Sequence, residues 1–91
     1  MGVEPTKLCY CYIVECSDGT FYTGWTTDPK RREKQHNLGR GAKYTRFRRP
    51  VNLVYVEQQP DRSTAMKREK KIKQLSRLRK KALIDGQQGD G

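Results

Sequence analysis

Two β-rich segments flank a tight-turn signal near the N-terminus. Residues 8–15, LCYCYIVE, are rich in β-branched and aromatic residues, and residues 21–25, FYTGW, have a similar composition. Between them stands SDGT, whose Asp-Gly pair is typical of a hairpin turn. The sequence therefore predicts an antiparallel hairpin as the first unit of the fold.

The second half of the chain predicts one more strand and two helices. Residues 51–57, VNLVYVE, have strand composition. A helix is expected from about Thr64 to Leu75, with Ser63 as its capping residue, and a short last helix from Arg77 to Ile84, with Ser76 as its cap.

The length of 91 residues predicts a single small domain with a modest core. The apolar positions cluster between residues 8 and 84, and this segment is expected to be the folded domain. Residues 1–7 are predicted to be a flexible tail, and residues 85–91 a disordered one, because both are poor in apolar side chains.

The net charge points to a polyanionic partner. Twenty Lys and Arg against ten Asp and Glu give a formal charge of +10 and a sequence pI near 9.9. Such an excess in a short chain favours nucleic acid. A membrane surface is less favoured, because no segment pairs a basic face with Trp, Phe and Leu, and no apolar run approaches the roughly 20 residues that span a bilayer.

The three cysteines and the N-terminal sequence favour a cytoplasmic, reducing location. The first residues lack the basic and apolar regions of a signal peptide, and an odd number of cysteines argues against a secreted disulfide framework. A structural zinc site usually takes four ligands. Cys16 should face away from Cys9 and Cys11, so buried small side chains are the favoured interpretation of all three.

The segment after the hairpin looks like a helix without a core-facing stripe. Asp28 and Pro29 have the pattern of a capping residue and a first helical residue, yet residues 30–37 contain no apolar side chain. Arg32 and His36 share one face of this helix. Arg matches phosphate oxygens, and His can bind phosphate or move a proton near neutral pH. The alternative is a solvated basic face.

Glu69 is the only acidic residue between Arg62 and Ile84, and it falls on the apolar stripe of its helix with Ala65 and Ile72. A carboxylate in that position must be paired or bound to a cation. Two interpretations remain open at this point: an ion pair with a basic neighbour, or a ligand of a divalent metal.

Residues 39–50, GRGAKYTRFRRP, form a basic loop that could hold one helical turn. Cations for phosphates and aromatic platforms for bases are typical of nucleic-acid contact surfaces. We expect the following residues to contact nucleic acid: Arg40, Lys43, Tyr44, Arg46, Arg48 and Arg49.

Taken in order, these segments resemble the GIY-YIG nuclease superfamily, in particular its small stand-alone bacterial branch (YhbQ-type), which is related to the SLX-type nucleases. YCY at 10–12 stands at the GIY motif and YTG at 22–24 at the YIG motif. TTDPKRREKQHN matches the following helix, and the stretches at 39–55 and 61–77 are similar to the signature stretches of the branch.

The resemblance implies an α+β domain, a three-stranded antiparallel sheet flanked by helices. It also implies a metal-dependent endonuclease that hydrolyses phosphodiester bonds, with DNA favoured over RNA, possible structure specificity in repair or recombination, and one Mg²⁺ or Mn²⁺. The catalytic residues it implies are Tyr12, Tyr22, Arg32, His36 and Glu69, with Glu69 as the metal ligand.

The role that the resemblance implies for Tyr12 requires a lowered pKa. Tyr12 would be the general base, and a phenol with a pKa near 10 is a poor base at neutral pH. Nearby cations must therefore lower its pKa, and Arg32 is the expected source. Tyr22 and His36 would position the phosphate or relay the proton.

The chain departs from the family pattern in two ways. The first motif is Tyr-Cys-Tyr, although its final residue, Tyr12, is present. Pro29 and Glu33 stand where the branch often has apolar residues, and Trp25 is expected to fill the resulting gap. Two rival functions stay open: a basic nucleic-acid-binding module without cleavage, and a structural adaptor in a larger complex.

Overall fold

The computed structural model describes residues 8–88 and shows an α+β fold. Its strands form one antiparallel sheet in the order β2-β1-β3, so the first strand lies in the centre. The elements are β1 (Cys9–Glu15), β2 (Phe21–Thr26), α1 (Pro29–Asn37), α2 (Lys43–Arg46), β3 (Asn52–Gln59), α3 (Arg62–Lys73) and α4 (Arg77–Gln88). The predicted three-stranded antiparallel sheet flanked by helices is confirmed.

The Asp-Gly signal makes the turn of the β1–β2 hairpin. Gly19 has a φ of 84°, a conformation that L side chains rarely adopt, and its N–H donates to the carbonyl of Cys16 at 2.9 Å. The Asp18 carboxylate accepts hydrogen bonds from the N–H and the hydroxyl of Thr20 at 3.1 and 2.6 Å. The turn fixes a register in which Tyr12 stands opposite Gly24.

The two faces of β1 are buried against different helices. One face contributes Cys9, Cys11 and Ile13 to a core that includes Ala65 and Ile72 of α3. The other face contributes Tyr12 and Val14, which cluster with Cys16 and Val51. Because side chains alternate along a strand, one sheet carries an apolar core on its α3 side and the Tyr12 side chain on its α1 side.

The cysteines lie on opposite faces of the sheet, as the alternation predicts. Cys9 and Cys11 are buried on the α3 side and Cys16 on the α1 side. The thiol of Cys11 donates to the carbonyl of Ala65 at 3.2 Å, and burial raises its pKa to about 11. A protonated thiol of this kind packs as a small apolar side chain.

Helix α1 begins as predicted, and its inner face bonds to the backbone of β3 and of Val51, the residue before that strand. Asp28 caps the helix by accepting from the N–H of Arg31 at 3.2 Å. The Asn37 amide accepts from Val51 N–H at 2.7 Å and donates to Val51 C=O at 3.0 Å. Glu33 accepts from Leu53 N–H at 2.6 Å. These bonds satisfy backbone N–H and C=O groups at the free edge of the sheet. They hold α1 against the sheet, which explains why the helix needs no apolar stripe.

Trp25 does not fill the space beside Pro29 and Glu33, so that expectation is wrong. Its side chain packs against the core on the α3 side, with the guanidinium of Arg62 5.5 Å from its ring centroid. The reason is strand alternation: Trp25 points to the face opposite Tyr22 and Gly24. The polar bonds of Glu33 take the place of apolar packing.

The bounds of the last two helices also differ from the prediction. Helix α3 starts at Arg62, because Asp61 is the capping residue and accepts from Thr64 N–H at 2.8 Å. Helix α4 continues to Gln88. The Gln87 amide donates to Val56 C=O at 2.6 Å and accepts from Val56 N–H at 3.2 Å, which anchors the helix end on β3.

The expected tails are mostly beyond the described structure. Residues 85–88 of the predicted disordered tail are helical. The predicted flexible tail, residues 1–7, and residues 89–91 lie outside the described residues. Between residues 8 and 88, no helix combines the length and apolar content needed to cross a membrane.

Candidate active site

The centre of the candidate site is a buried hydrogen bond between β1 and α1. The hydroxyl of Tyr12 lies 2.8 Å from Nε2 of His36, and the two residues are 1% and 0% exposed. The strand supplies the tyrosine from the middle of the sheet, and the last turn of α1 supplies the histidine. Two elements far apart in sequence are thus joined by polar groups that can exchange a proton.

A second hydrogen bond fixes the other side of the imidazole. His36 Nδ1 lies 2.8 Å from Oγ1 of Thr45, which is fully buried in α2. The Thr45 hydroxyl lies 3.0 Å from the carbonyl of Ala42, to which it donates. We therefore assign the proton to Nδ1, so that Nδ1–H donates to Thr45 and Nε2 accepts from Tyr12. The N–H of Ala42, at 3.5 Å from Nδ1, is a weaker competitor.

Two glycines make room for these rings. A Cβ on Gly24 would stand 2.5 Å from the Tyr12 hydroxyl oxygen. A Cβ on Gly41 would collide with the His36 ring. The tyrosine ring lies across the neighbouring strand and the loop backbone lies against the imidazole, and only glycine permits these approaches.

Burial sets the protonation states of the pair. It raises the pKa of Tyr12 to about 12, although the Arg32 guanidinium acts in the opposite direction through a hydrogen bond and its charge. It lowers the pKa of His36 to about 4, with a further contribution from the charge of Arg32. The expectation that Arg32 would bring the pKa of Tyr12 below its ordinary value is therefore wrong for the protein alone. Removal from water outweighs the effect of the cation.

Arg32 lies on the same face of α1 as His36, and its guanidinium lowers the pKa of the Tyr12 hydroxyl in opposition to burial. Its Nη1 donates to Oε1 of Gln35 at 3.0 Å, a contact that orients the guanidinium. The side chain is half-buried. A partly desolvated guanidinium beside a tyrosine hydroxyl is suited to hold an anion next to that hydroxyl.

Tyr22 is next to the imidazole and links it to the loop. Its ring contacts the edge of the His36 ring at a centroid distance of 5.4 Å and stacks on Tyr44 at 5.9 Å. The ammonium of Lys73 lies 5.8 Å from the Tyr22 ring centroid. Tyr22 is half-buried, so it forms part of the border between the buried pair and solvent.

Glu69 approaches the site from α3. Its carboxylate is 20% exposed and lies 3.5 Å from the ammonium of Lys73. Burial is the main cause of the raised pKa of Tyr12, and the negative charge of Glu69 makes a small further contribution in the same direction. Both interpretations of this carboxylate thus remain: it has a basic partner one turn away, and its charge acts on the Tyr12 hydroxyl.

The single carboxylate of Glu69 fits a hard divalent cation that takes most of its ligands from water and substrate. Within residues 8–88, no group of three or more His, Cys, Asp and Glu side chains could enclose a metal. Mg²⁺ is commonly held by one or two carboxylates together with water and substrate phosphates. A single carboxylate at the edge of a phosphate site is compatible with that mode of binding.

The basic loop is partly used for its own structure. Arg48 donates from Nε to Asp18 at 3.1 Å and from Nη1 to the carbonyl of Tyr44 at 2.8 Å. Arg49 donates from Nε to the carbonyl of Arg46 at 2.8 Å. The loop residues predicted to bind nucleic acid are therefore of two kinds. Arg48 and Arg49 brace the loop, although Arg49 is itself exposed. Arg40, Lys43 and Arg46 are exposed cations whose side chains take no part in these bonds.

His36 contacts both Tyr12 and Tyr22. Arg32 and, more weakly, Glu69 act on the pKa of the Tyr12 hydroxyl. Sequence reasoning missed the contributions of Thr45 and Gly41 to the imidazole site. The stretch GRGAKYT gave no signal for Thr45, whereas Gly41 could have been noticed as a glycine beside a helical turn.

Comparison with protein families matches residues 8–82 to the GIY-YIG catalytic domain. A UPF0213 protein of Halobacterium salinarum is 58% identical over 75 residues, which cover 82% of this chain and 97% of that protein. A UPF0213 protein of Staphylococcus aureus is 52% identical over 75 residues, which cover 82% of this chain and 92% of that protein.

Two solution NMR structures have a similar fold. The UPF0213 protein of Bacillus halodurans superposes with a TM-score of 0.55 at 49% identity, covering 86% of this chain and 83% of that one. A protein of E. faecalis gives a TM-score of 0.62 at 42% identity, covering 98% of this chain and 95% of that one. The GIY-YIG domain is a nuclease domain, and its members generally use divalent metals. The chain belongs to the GIY-YIG family, with UPF0213 proteins among its relatives.

Proposed function

We propose that this protein is a metal-dependent endonuclease that hydrolyses phosphodiester bonds in DNA, with a role in structure-specific repair or recombination. The observation that carries the proposal is the buried Tyr12–His36–Thr45 hydrogen-bond chain with Arg32 at its open end. A protein that only binds nucleic acid has no need to bury a tyrosine hydroxyl against a neutral imidazole. The buried thiols of Cys11 and Cys16 suit a reducing compartment, and we propose the cytoplasm as the location.

Arg32 binds the scissile phosphate in this proposal. Its guanidinium offers several N–H donors to phosphate oxygens, and its charge offsets the negative charge that develops during attack by water. The half-buried position strengthens this interaction relative to an exposed arginine, because less water competes for the donors.

Tyr12 and His36 handle the proton of the attacking water. At neutral pH the free protein holds a proton on Tyr12 and an unprotonated Nε2 on His36, because the pKa values are about 12 and about 4. Tyr12 accepts the proton from water while its own proton passes to Nε2. A phosphate anion bound by Arg32 favours this transfer, since a nearby negative charge raises the pKa of an imidazole. Thr45 keeps the ring oriented throughout.

Glu69 would hold a single Mg²⁺ or Mn²⁺, together with phosphate oxygens and water. When bound, such a cation supplies positive charge for the leaving oxygen and lowers the pKa of hydroxyl groups around it. Glu69 must exchange its contact with Lys73 for this role, and Lys73 is then available to a neighbouring phosphate. Tyr22 covers the imidazole and limits access of water.

The second candidate function is a basic nucleic-acid-binding module without cleavage. The specific observation in its favour is the pKa of Tyr12, which burial raises to about 12 and which makes the free hydroxyl a poor base. Under that alternative, Arg32 and the exposed loop cations would bind backbone phosphates, and Glu69 would serve only as the partner of Lys73.

A panel of cleavage assays distinguishes the two candidate functions. Flap, nicked, branched and continuous duplex DNA, with RNA counterparts, are incubated with Mg²⁺, with Mn²⁺ and with EDTA. We expect metal-dependent cleavage of at least one DNA substrate and its loss in Glu69→Gln. The matched control is Asp85→Asn, which removes an exposed carboxylate of α4 that pairs with Lys81. Binding without cleavage under every condition would favour the second candidate.

A further inference from the structure

Phe47 is an exposed aromatic side chain in the basic loop. It is 86% exposed, more than any other large apolar side chain in residues 8–88. It directly follows α2 and is flanked by Arg46 and Arg48. Leaving a phenyl ring in water forgoes the free energy of burying it, so its position in a small domain calls for an explanation.

The exposure of Phe47 is set by an ordered loop. Thr45 is fixed by His36, and the N–H of Arg48 donates to the carbonyl of Thr45 at 3.0 Å. The carbonyl of Arg48 accepts from Ser17 N–H at 2.9 Å. The chain is therefore held on both sides of Phe47, and the ring is presented at a fixed place on the surface.

Tyr44, the other aromatic residue of the loop, is already occupied. Its ring stacks on Tyr22 at 5.9 Å with an interplanar angle of 27°, and the Arg48 guanidinium lies 3.9 Å from its centroid. Across the described part of the chain, Phe47 takes part in no comparable ring or cation contact. The two aromatic residues of this loop thus differ: Tyr44 packs beside the candidate active site, whereas Phe47 is available to a ligand.

The surroundings of Phe47 indicate the class of that ligand. Residues 39–50 contain five Lys and Arg side chains and no Asp or Glu. An apolar ring among cations is complementary to a polyanion that carries flat faces, which describes a nucleic acid with accessible bases. A protein partner would need an apolar pocket bordered by acidic groups.

We propose that Phe47 stacks on an unpaired or terminal base of bound DNA, while the exposed cations Arg40, Lys43 and Arg46 contact the backbone. In a continuous duplex each base face is covered by the next base pair. An unpaired or terminal base offers a free face at a flap, a branch or a single-stranded segment. Phe47 therefore gives the protein a preference for such structures. The inference rests on the nucleic-acid binding in the proposed function and is independent of cleavage.

The test measures binding in EDTA, so that cleavage does not enter. Fluorescence anisotropy compares single-stranded, flap and continuous duplex DNA for wild type, Phe47→Ala and Phe47→Trp. Stacking of a base on an aromatic side chain is worth roughly 1–3 kcal/mol, so Phe47→Ala should bind single-stranded and flap DNA about 10-fold more weakly. Its affinity for duplex should stay within roughly a factor of two, and Phe47→Trp should retain the preference.

Leu78→Ala is the matched control, because Leu78 is another exposed apolar residue, 79% exposed, and lies outside the loop on α4. It should change none of the affinities. A 2-aminopurine base at the flap junction reports stacking directly: its fluorescence should change on binding wild type and Phe47→Trp, and not on binding Phe47→Ala.

The outcomes distinguish this inference from the nuclease proposal. Stacking without cleavage by wild type would contradict only the nuclease. Cleavage with equal substrate preference in wild type and Phe47→Ala would overturn only the role of Phe47. Equal weakening of binding to all DNA forms in Phe47→Ala, or absence of DNA binding by wild type, would also overturn that role. If Phe47→Ala changes the oligomeric state and leaves DNA binding unchanged, Phe47 forms a protein contact and the role is likewise overturned.

Discussion

The hydroxyl oxygen of Tyr12 lies 2.8 Å from Nε2 of His36 inside a small domain in a chain of 91 residues. Both side chains are closed off from solvent, and the tyrosine ring and the imidazole come from different secondary-structure elements. A small core gains little by burying two polar groups unless their hydrogen bonds are satisfied. Here the Tyr12 hydroxyl and Nε2 of His36 satisfy each other, and Thr45 satisfies Nδ1 of His36, which makes the pair both a structural and a chemical unit.

Removing the Tyr12 hydroxyl should reduce the cleavage rate far more than the stability of the fold. Tyr12→Phe keeps the ring that packs in the core and deletes the group that exchanges the proton. We expect cleavage to fall by about 100-fold or more. The free energy of unfolding should drop by only about 1–3 kcal/mol, the cost of leaving the His36 nitrogen without a partner. Single-turnover cleavage and urea unfolding measure the two effects, and a fully active Tyr12→Phe protein would contradict the proton-transfer role.

The low pKa of His36 should make stability depend on pH. In the unfolded chain His36 binds a proton at its ordinary pKa near 6.5, whereas in the folded protein its pKa is about 4. Between these values the unfolded state binds more protons, so stability is complete above pH 6.5 and is lost as the pH falls towards 4.

From near pH 7 to about pH 5, this effect should lower the free energy of unfolding by about 2 kcal/mol. Urea unfolding of wild type and His36→Gln at both pH values measures it. The variant will be less stable at each pH, but the decrease with pH should be smaller by that amount. Equal decreases in both proteins would show that His36 does not titrate as described.

Gly24 should tolerate no side chain, because a Cβ there would stand 2.5 Å from the Tyr12 hydroxyl oxygen. We expect Gly24→Ala to cost about 1–3 kcal/mol in unfolding free energy and to displace Tyr12, with loss of cleavage. Gly86→Ala is the control, since nothing lies within 4 Å of its Cβ and the residue is inside α4. It should stabilise the protein by up to about 1 kcal/mol. Thermal unfolding of both variants decides this, and a neutral Gly24→Ala would be inconsistent with the close approach.

Asn37 should contribute to stability through the edge of the sheet. Asn37→Ala removes the two hydrogen bonds to Val51 and is expected to cost about 1–3 kcal/mol. Amide hydrogen exchange of Val51 should become faster at the same time. Lys34→Ala, an exposed position of the same helix, should stay within about 0.5 kcal/mol of wild type. Unchanged Val51 exchange in Asn37→Ala would argue against the role of this contact.

The local signals of the sequence were sufficient for most of the fold. The Asp18-Gly19 turn, the Asp28 cap and the composition of the strands all act within a few residues, and each appears in the structure where it was predicted. The start of α3 was missed by two residues, because Asp61 and Ser63 are both good caps and only the structure distinguishes them.

The candidate site was predictable only in part, because its partners meet through tertiary packing. Arg32 and His36 were identified from their shared helix face. The role of Thr45 depends on loop 39–50 folding back over α1, and no local pattern encodes that contact. Likewise, Glu33 had no explanation in the sequence, since its partner is a backbone N–H of β3 twenty residues away.

Two adjacent arginines of α1 allow a direct test of the proposal that Arg32, Tyr12 and His36 together cleave a phosphodiester. Arg31 and Arg32 are neighbours, but Arg32 acts on the Tyr12 hydroxyl whereas Arg31 is exposed. The measurement is the single-turnover rate of Mg²⁺- or Mn²⁺-dependent cleavage of flap DNA by wild type, Arg32→Ala and Arg31→Ala at saturating protein. We expect Arg32→Ala to lose about 100-fold or more in rate and Arg31→Ala to stay within a few-fold of wild type. Equal rates for wild type and Arg32→Ala, or no cleavage by wild type with either metal, would contradict the account.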